Sequence, residues 1–437
     1  MTLRILHTSD WHLGHSLHDI SREYEHDMFL TWLLDALRIE KIDSLLVAGD
    51  IFDSANPPAS AQKQWYRLLS QARQNFPTLD IVAIAGNHDS AGRLEAPRAL
   101  LEEFDIKVFG RLSFNTTTET DSRIDRCIVP LHDSNGKTAA WCAAIPFLRP
   151  PDLPKTSEDA DSQIDGTRMA FSTVIETAKR RANKDQAVIA MGHCYMMSAT
   201  LSELSERKIV IGNEHALPAD IFDNSAAYIA LGHLHLGQTV AGQDRIRYSG
   251  SPIPLSMDET DYRHHVCVAT IEGNSLVDIK QVPIPRAIEM IRIPAKGAKP
   301  WITVRSELAA LPNEPKPGQS AEQSPELQLG IFAPPTLNRP KPFLEVRVTM
   351  DKPDSTLRRS VDEALKGKYA QLVKLTIEFN RNERSLALQL PSTNLQDLTA
   401  ESVFVQLYQS NHQGQPSDEL LACFRELAST LDQEQEP

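Results

Sequence analysis

The stretch LRILHTSDWH, residues 3–12, sets a pattern that decides how the chain folds. An apolar run rich in strand formers breaks off and delivers two polar side chains, Asp10 and His12. The pattern returns in SLLVAGDIFD at 44–53 (Asp50) and IVAIAGNHD at 81–89 (Asn87, His88), then in AVIAMGH at 187–193 (His193) and AAYIALGHLH at 226–235 (His233, His235). A strand holds its last side chain rigidly at one edge of a sheet, and a glycine before it lets the backbone turn tightly. Five such edges in one chain predict one point of convergence.

Between these runs lie helical patterns. Ser21 to Glu40 carries Met28, Phe29, Trp32, Leu33, Ala36 and Leu37 at helical spacing, and a second helix is expected over Ala59 to Asn75. Strand and helix alternate, which argues for a sheet covered by helices. Farther on, RCIVPL, AWCAAIP, GQTVAG, RIRYSG, VCVATI and LVDIKQV are short, β-branched and closely spaced, and read as antiparallel strands. A mixed two-sheet α/β sandwich accommodates both halves. Residues 152–167 are polar and acidic and read as a surface excursion.

The pattern changes near Pro283 and Pro285. Residues 286–392 read as a small α+β unit, with strands in IEMIRIPA, FLEVRVTM and LVKLTIEF, and helices around Ile302 to Leu311 and Asp354 to Lys366. A Pro/Gln-rich insertion at 312–342 interrupts it. The tail, 393–437, reads as two amphipathic helices. Thr399 and Ser417 stand at the cap positions, and the apolar faces include Val403, Phe404, Leu407 and Tyr408, then Leu420, Leu421 and Phe424.

The chain has 437 residues, enough for two or three buried cores, and a net charge of −13. It is therefore not a basic nucleic-acid binder in bulk, and any DNA contact must come from a local patch, bound ions or a partner. Five scattered cysteines (Cys127, Cys142, Cys194, Cys267, Cys423) lack metal-type spacing and read as reduced, mostly buried thiols. With no apolar run of membrane-spanning length and no charged leader before the first strand, the expectation is a cytosolic protein.

The polar residues at the strand ends suit two divalent ions. Phosphodiesters resist hydrolysis because the diester anion repels hydroxide. Two ions about 3.5–4 Å apart acidify a shared water and neutralise the phosphoryl oxygens. Asp50, between the two ligand groups in sequence, is the candidate bridge. Asp10, His12 and His235 suit the first ion, and Asn87, His193 and His233 the second. Asn87 keeps the charge of the site low enough to admit phosphate. His88 neighbours a ligand and suits a proton donor to the leaving oxygen, with Asp89 placed in sequence to orient it. Carboxylate, amide and imidazole without thiolate favour Mn most of all, with Mg, Fe or Zn also compatible. Taken singly each residue has an ordinary reading, such as a turn Asp or a core His. His7, His15, His18, His26, His132, His215, His264, His265 and His412 are assigned to that ordinary class. The functional reading rests on order, placement and residue type agreeing across five segments. Cys194, beside His193, points the other way on an extended chain and reads as packing.

DWH, GDIFD, GNHD, GH and GHLH, in this order, resemble the calcineurin-like metallophosphoesterase superfamily. IPFLRP at 145–150 and RYSGSPIPLS at 247–256 narrow the resemblance to its DNA-repair nuclease branch. The resemblance implies a two-sheet α/β/β/α nuclease domain over 1–285, a small α+β capping domain over 286–392, and C-terminal helices over 393–437. DLTAESVF at 397–404 is similar to the helix by which that branch docks on its partner's coiled coil.

By the same resemblance Asp10, His12, Asp50 and His235 bind one Mn ion, Asp50, Asn87, His193 and His233 bind the other, and His88 is catalytic. The implied activities are single-strand endonuclease and ATP-dependent 3′→5′ double-strand exonuclease, acting on DNA ends and hairpins in repair, recombination and replication. ATP would act through an SMC-like coiled-coil ATPase partner, since this chain has no glycine-rich phosphate loop. A homodimer within a heterotetramer is also implied. Two rivals use the same scaffold: a small-molecule phosphodiesterase or phosphatase, and a non-catalytic scaffold. The extra α+β unit and the tail argue against the first, and the intact ligand set with His88 argues against the second.

Overall fold

The computed structural model describes residues 2–114, 120–154, 162–197, 216–222, 224–314 and 340–379, with eight positions between 404 and 424. Two compact units result: Met1–Val348 with Asp354–Ile377, and Thr349–Pro353 with Glu378–Pro437.

Among the described residues the first unit contains two six-stranded sheets packed face to face. One sheet runs in the order Ser275–Pro283, His265–Glu272, Thr2–Thr8, Ser44–Ala48, Asp80–Ile84, Ile106–Phe109. Its last four strands are parallel, and His265–Glu272 lies antiparallel against Thr2–Thr8. The other runs Gln238–Val240, Gln243–Tyr248, Tyr228–Gly232, Ala187–His193, Thr138–Ala144, Ile128–His132.

Alternation along each strand explains the layering. Leu46, Ala48, Val82 and Ile84 point to the second sheet, where they meet Ala140, Cys142, Ile189, Met191 and Ala230. Leu45, Val47, Ile81 and Ala83 point the other way, under the helices Glu23–Ile39 and Ala59–Asn75. Both faces are buried, so these strands read as continuous apolar runs. Each fully buried Leu, Ile or Val stabilises the layers by roughly 1.5–3 kcal/mol. The expected α/β/β/α sandwich is present.

The short strands pair antiparallel as expected, Ile128–His132 with Thr138–Ala144, Gln238–Val240 with Gln243–Tyr248 and His265–Glu272 with Ser275–Pro283. On their other edges Thr138–Ala144 pairs parallel with Ala187–His193, and Gln243–Tyr248 pairs parallel with Tyr228–Gly232. A parallel neighbour needs a crossover, and the helix Ser162–Arg181 supplies the first. That helix begins inside the supposed surface excursion and covers the second sheet with Phe171, Val174, Ile175 and Ala178. Asp152, also in that stretch, is buried and ion-paired with Arg111.

The small four-stranded sheet is built from Met290–Ile293, Lys299–Pro300, Phe343–Met350 and Gln371–Phe379, with the helices Trp301–Ala309 and Leu357–Ala364. Residues 315–339 of the insertion, residues 393–403 of the tail, and Leu407 lie outside the described residues. In the second unit the rings of Phe404 and Phe424 stack with centroids 4.3 Å apart at 12°. Ser417 Oγ accepts the amide of Leu420 at 3.3 Å, the capping role expected of it.

Candidate metal centre

The parallel strands of both sheets bring their C-terminal ends to one edge of the sandwich, where Ala48, His193 and Gly232 lie side by side. The backbone is unusual there. Asp10, His12, Asp50 and His233 have φ of 54°, 47°, 48° and 113°, a region non-glycine residues rarely occupy. Several such residues at one place mark a site that the surrounding structure holds in shape. Gly49, at φ 90°, makes the turn before Asp50. A Cβ on Gly232 would lie 1.9 Å from the Ala48 carbonyl oxygen, so only glycine lets the two sheets approach here.

Three sets of side chains offer donor atoms within 4.8 Å of one another: Asp10, His12 and His235; Asp10, Asp50 and His193; His12, Asp50 and His88. Asp10 and Asp50 each recur, which joins the sets into one centre. Asn87 completes it. Its Oδ1 lies 2.9 Å from Nε2 of His193 and 3.1 Å from Nδ1 of His233. His193 Nε2 is also 3.3 Å from the Asp50 carboxylate. All seven residues predicted as ligands are therefore gathered at this edge, with His88 beside them.

Hydrogen bonds fix the rings. Nδ1 of His193 donates to the Ala48 carbonyl at 2.9 Å and turns Nε2 toward Asp50 and Asn87. Nδ1 of His235 donates to Glu259 at 2.8 Å, and that carboxylate also accepts the Leu255 amide at 2.7 Å. Nδ1 of His88 donates to the Asp53 carbonyl at 2.9 Å. The amides of His233 and His88 donate to Asp10 and Asp50 at 2.9 and 2.8 Å. Ser9 Oγ donates to Asp10. Nδ1 of His12 stands 3.3 Å from Asp53, out of line for a hydrogen bond, and Nε2 stands 3.7 Å from Asp50.

Both ring nitrogens of His12 are thus buried without a hydrogen-bond partner. A buried imidazole in that condition is costly unless something else takes its lone pair. That observation, with the mixed carboxylate, amide and imidazole set, fits divalent cations.

The electrostatics agree. Burial works against charge on Asp50, yet His193 and His12 hold its carboxyl well below the usual range. Burial alone would lower His193, but Asp50 and Asp10 outweigh it and raise the ring to about 9. A positive charge is favoured at that position, as a cation would be. His233 is pushed down to about 3 by burial and then by His193, which leaves a neutral imidazole with a lone pair. Burial, with Asp53 and Asp50 opposing, also lowers His12.

Asp89 departs from its expected role. Its carboxylate accepts the amides of Ile51 at 3.1 Å, Phe52 at 2.9 Å and Gly86 at 2.9 Å, and so ties two strand-end loops together. The Asp53 backbone orients His88 instead. His15, set among the ordinary histidines, bonds the Asp53 carboxylate at 3.0 Å and the Leu255 carbonyl at 3.0 Å. Asp53 and Glu259 were not singled out by the sequence reading. Asp53 had a signal, as the second carboxylate of GDIFD. Glu259 had none, being 24 residues from the ring it holds. Cys194 packs in the core beneath the second sheet, as expected. His7 and His26 are buried core histidines bonded to Tyr228 and to the Trp11 carbonyl.

Two clefts flank the centre. One, of about 450 Å³, is lined by Phe147, Arg149, Gln163 and Tyr195 beside Asn87 and His193. The other, of about 570 Å³, lies beside His12, His88 and His235 and reaches Lys374 of the small sheet.

Comparison with known proteins gives these residues a lineage. Residues 3–237 match the calcineurin-like phosphoesterase family, and 286–412 match a family described as the type 5 capsule protein repressor C-terminal domain. The chain is 37% identical over 408 residues to the SbcD subunit of the SbcCD nuclease of Rhodobacter capsulatus, covering 92% of this chain and 93% of that protein. The chain belongs to the SbcD family of calcineurin-like metallophosphoesterases. The SbcD protein of Escherichia coli K12 is 30% identical over 410 residues, covering 92% of each chain. Among solved structures, a dimetal phosphatase from Danio rerio aligns with TM-score 0.33 and 12% identity, over 65% of this chain and 99% of that one. The SbcD relatives span both the sandwich and the small sheet that follows it. Among the described residues, no helix is long and apolar enough to cross a membrane.

Proposed function

We propose that this chain is the metal-dependent nuclease subunit of an SbcCD-type complex and hydrolyses DNA phosphodiesters with two divalent ions, Mn foremost. The observation that carries this reading is the gathering of Asp10, His12, Asp50, Asn87, His193, His233 and His235 at one edge, with both nitrogens of His12 without a hydrogen-bond partner. Asp10, His12, Asp50 and His235 hold one ion. Asp50, Asn87, His193 and His233 hold the other, with Asp50 shared. When bound, the ions neutralise charge on the phosphoryl oxygens and strengthen the acidity of water.

The chain's own groups do the rest. His88, tied at Nδ1 to the Asp53 carbonyl, keeps Nε2 for the leaving oxygen and carries its proton. Glu259 and Ala48 fix His235 and His193 by their Nδ1 protons, so each ring offers Nε2 to a cation. The small α+β unit over 286–392 caps the nuclease domain at 1–285.

Partners follow from the same reading. An SbcC-type SMC-like coiled-coil ATPase docks on the helices of 393–437 and brings ATP dependence, and the protein works as a homodimer within a heterotetramer. A net charge of −13 suits that division, since partner and ions then supply much of the DNA affinity. The activities are single-strand endonuclease and ATP-dependent 3′→5′ double-strand exonuclease, in the cytoplasm. Cleavage of labelled DNA and of a small chromogenic diester, each with and without Mn, is the test. Cleavage of both only with Mn supports the nuclease. Cleavage of the small diester alone points to a small-molecule phosphodiesterase, and cleavage of neither to a scaffold.

A further inference from the structure

The three-residue turn Met257–Glu259 touches the small sheet on one side and the candidate metal centre on the other. Its last residue, Glu259, is fully buried and holds Nδ1 of His235 at 2.8 Å. Its first residue, Met257, buries its side chain in an apolar plug with Leu17, Ile288, Met290, Phe343 and Val373. Most of that plug belongs to the small sheet and the segment leading into it. The Met257 carbonyl accepts the guanidinium of Arg292 at 2.7 Å, and the Asp258 carboxylate lies 3.4 Å from the same nitrogen. Arg292 sits on the strand Met290–Ile293 and is anchored in turn by Glu345, at 2.8 Å, whose side chain is fully buried on the neighbouring strand. Arg22 of the nuclease layers adds a second strut, its guanidinium 5.4 Å from the centre of the Phe343 ring.

These contacts form a continuous path: Glu345, Arg292, the Met257–Glu259 turn, His235. Each step is a charge-assisted or buried hydrogen bond, or the three covalently joined residues of a tight turn. Moving the strand that carries Arg292 pulls on the carbonyl of Met257, and Glu259 lies two residues along the same turn.

We propose that Arg292 is a positioning residue for one of the two ion sites, acting through the Met257–Glu259 turn and Glu259 on His235. The small sheet is then a lever on the metal centre. The inference rests on His235 being a metal ligand, as the proposed function has it. Outer partners of metal-binding histidines typically change metal affinity by about 10–100-fold when removed.

Calorimetric Mn titration of the full chain tests this. Arg292→Met keeps the stem and removes the donors, while Glu259→Ala removes the ring's partner. Both should weaken the same one of two Mn sites by about tenfold or more and leave the other unchanged. Arg292→Lys should restore part of the loss. Leu308→Ala, in the buried core of the small unit away from the turn, should lower the melting temperature without changing either affinity. Retention of both affinities in Arg292→Met, while Glu259→Ala weakens one, would overturn the coupling. So would a loss in Leu308→Ala equal to that in Arg292→Met, which would reduce the effect to general destabilisation. If His235→Ala itself leaves both sites intact, the ligand assignment fails first, and the proposal with it.

Discussion

Nδ1 of His88 donates its proton to the carbonyl oxygen of Asp53 at 2.9 Å. A carbonyl only accepts, so the tautomer is set: Nδ1 carries hydrogen and Nε2 is the working nitrogen. His88 also stands 4.8 Å, ring to ring, from His12, close enough to belong to the ion sites by distance alone.

His88→Ala separates a proton donor from a ligand. Cleavage should fall by about 10²–10⁴-fold with Mn content nearly unchanged. Metal analysis of the purified variant, beside its rate on a small diester, is the measurement. Loss of one ion together with activity would make His88 a ligand.

Asp50→Asn should cost both ions together, whereas Asp10→Asn should weaken mainly one. Oδ2 of Asp50 lies 3.7 Å from Nε2 of His12, assigned to one ion, and 3.3 Å from Nε2 of His193, assigned to the other. A shared carboxylate serves both ions. Mn calorimetry reads this directly, and two tight sites surviving in Asp50→Asn would exclude the bridge.

Gly232→Ala probes the contact between the sheets. The new Cβ would lie 1.9 Å from the Ala48 carbonyl oxygen and 2.9 Å from Nδ1 of His193, so backbone must move. Overpacking of this kind costs about 1–3 kcal/mol. Urea unfolding should show a lower midpoint, and an unchanged midpoint would mean the sheets can part here without cost.

Deleting residues 393–437 should spare Mn binding and cleavage of a small diester while abolishing capture by a coiled-coil ATPase of the SbcC type. Short helices need something to pack on. The Phe404 ring is stacked on Phe424, so Phe404→Ala should remove that contact as well as weaken capture. Pull-down with the ATPase, and the melting temperature of the truncated chain, give the answer. Capture at wild-type strength after the deletion would remove the docking role of the tail.

Much of the site was legible in the sequence because each candidate ligand ends an apolar run. Asp50 after VAG, Asn87 after AIAG and His233 after IALG are local patterns that a strand end requires. What holds those residues was less legible. Glu259 reaches His235, and the Ala48 carbonyl reaches His193, across chain separations that no spacing rule encodes. Parallel neighbours were also hidden. Thr138–Ala144 pairs antiparallel with Ile128–His132, as its spacing suggests, and only the helix Ser162–Arg181 makes its other neighbour, Ala187–His193, parallel. That helix had a signal in Phe171, Val174, Ile175 and Ala178, at helical spacing, masked by the polar stretch before it. Asp89 was misread because adjacency to His88 suggested a contact. On the folded chain its carboxylate turns toward the amides of Ile51, Phe52 and Gly86.

The most direct test of the central claim is the rate of DNA cleavage by the chelator-stripped protein as Mn is added back, measured against ions bound per chain. Two cooperating sites predict no cleavage in chelator and a full rate only as the second ion binds. Cleavage that persists in chelator, or reaches its full rate with one ion per chain, would contradict a two-ion nuclease built on Asp50.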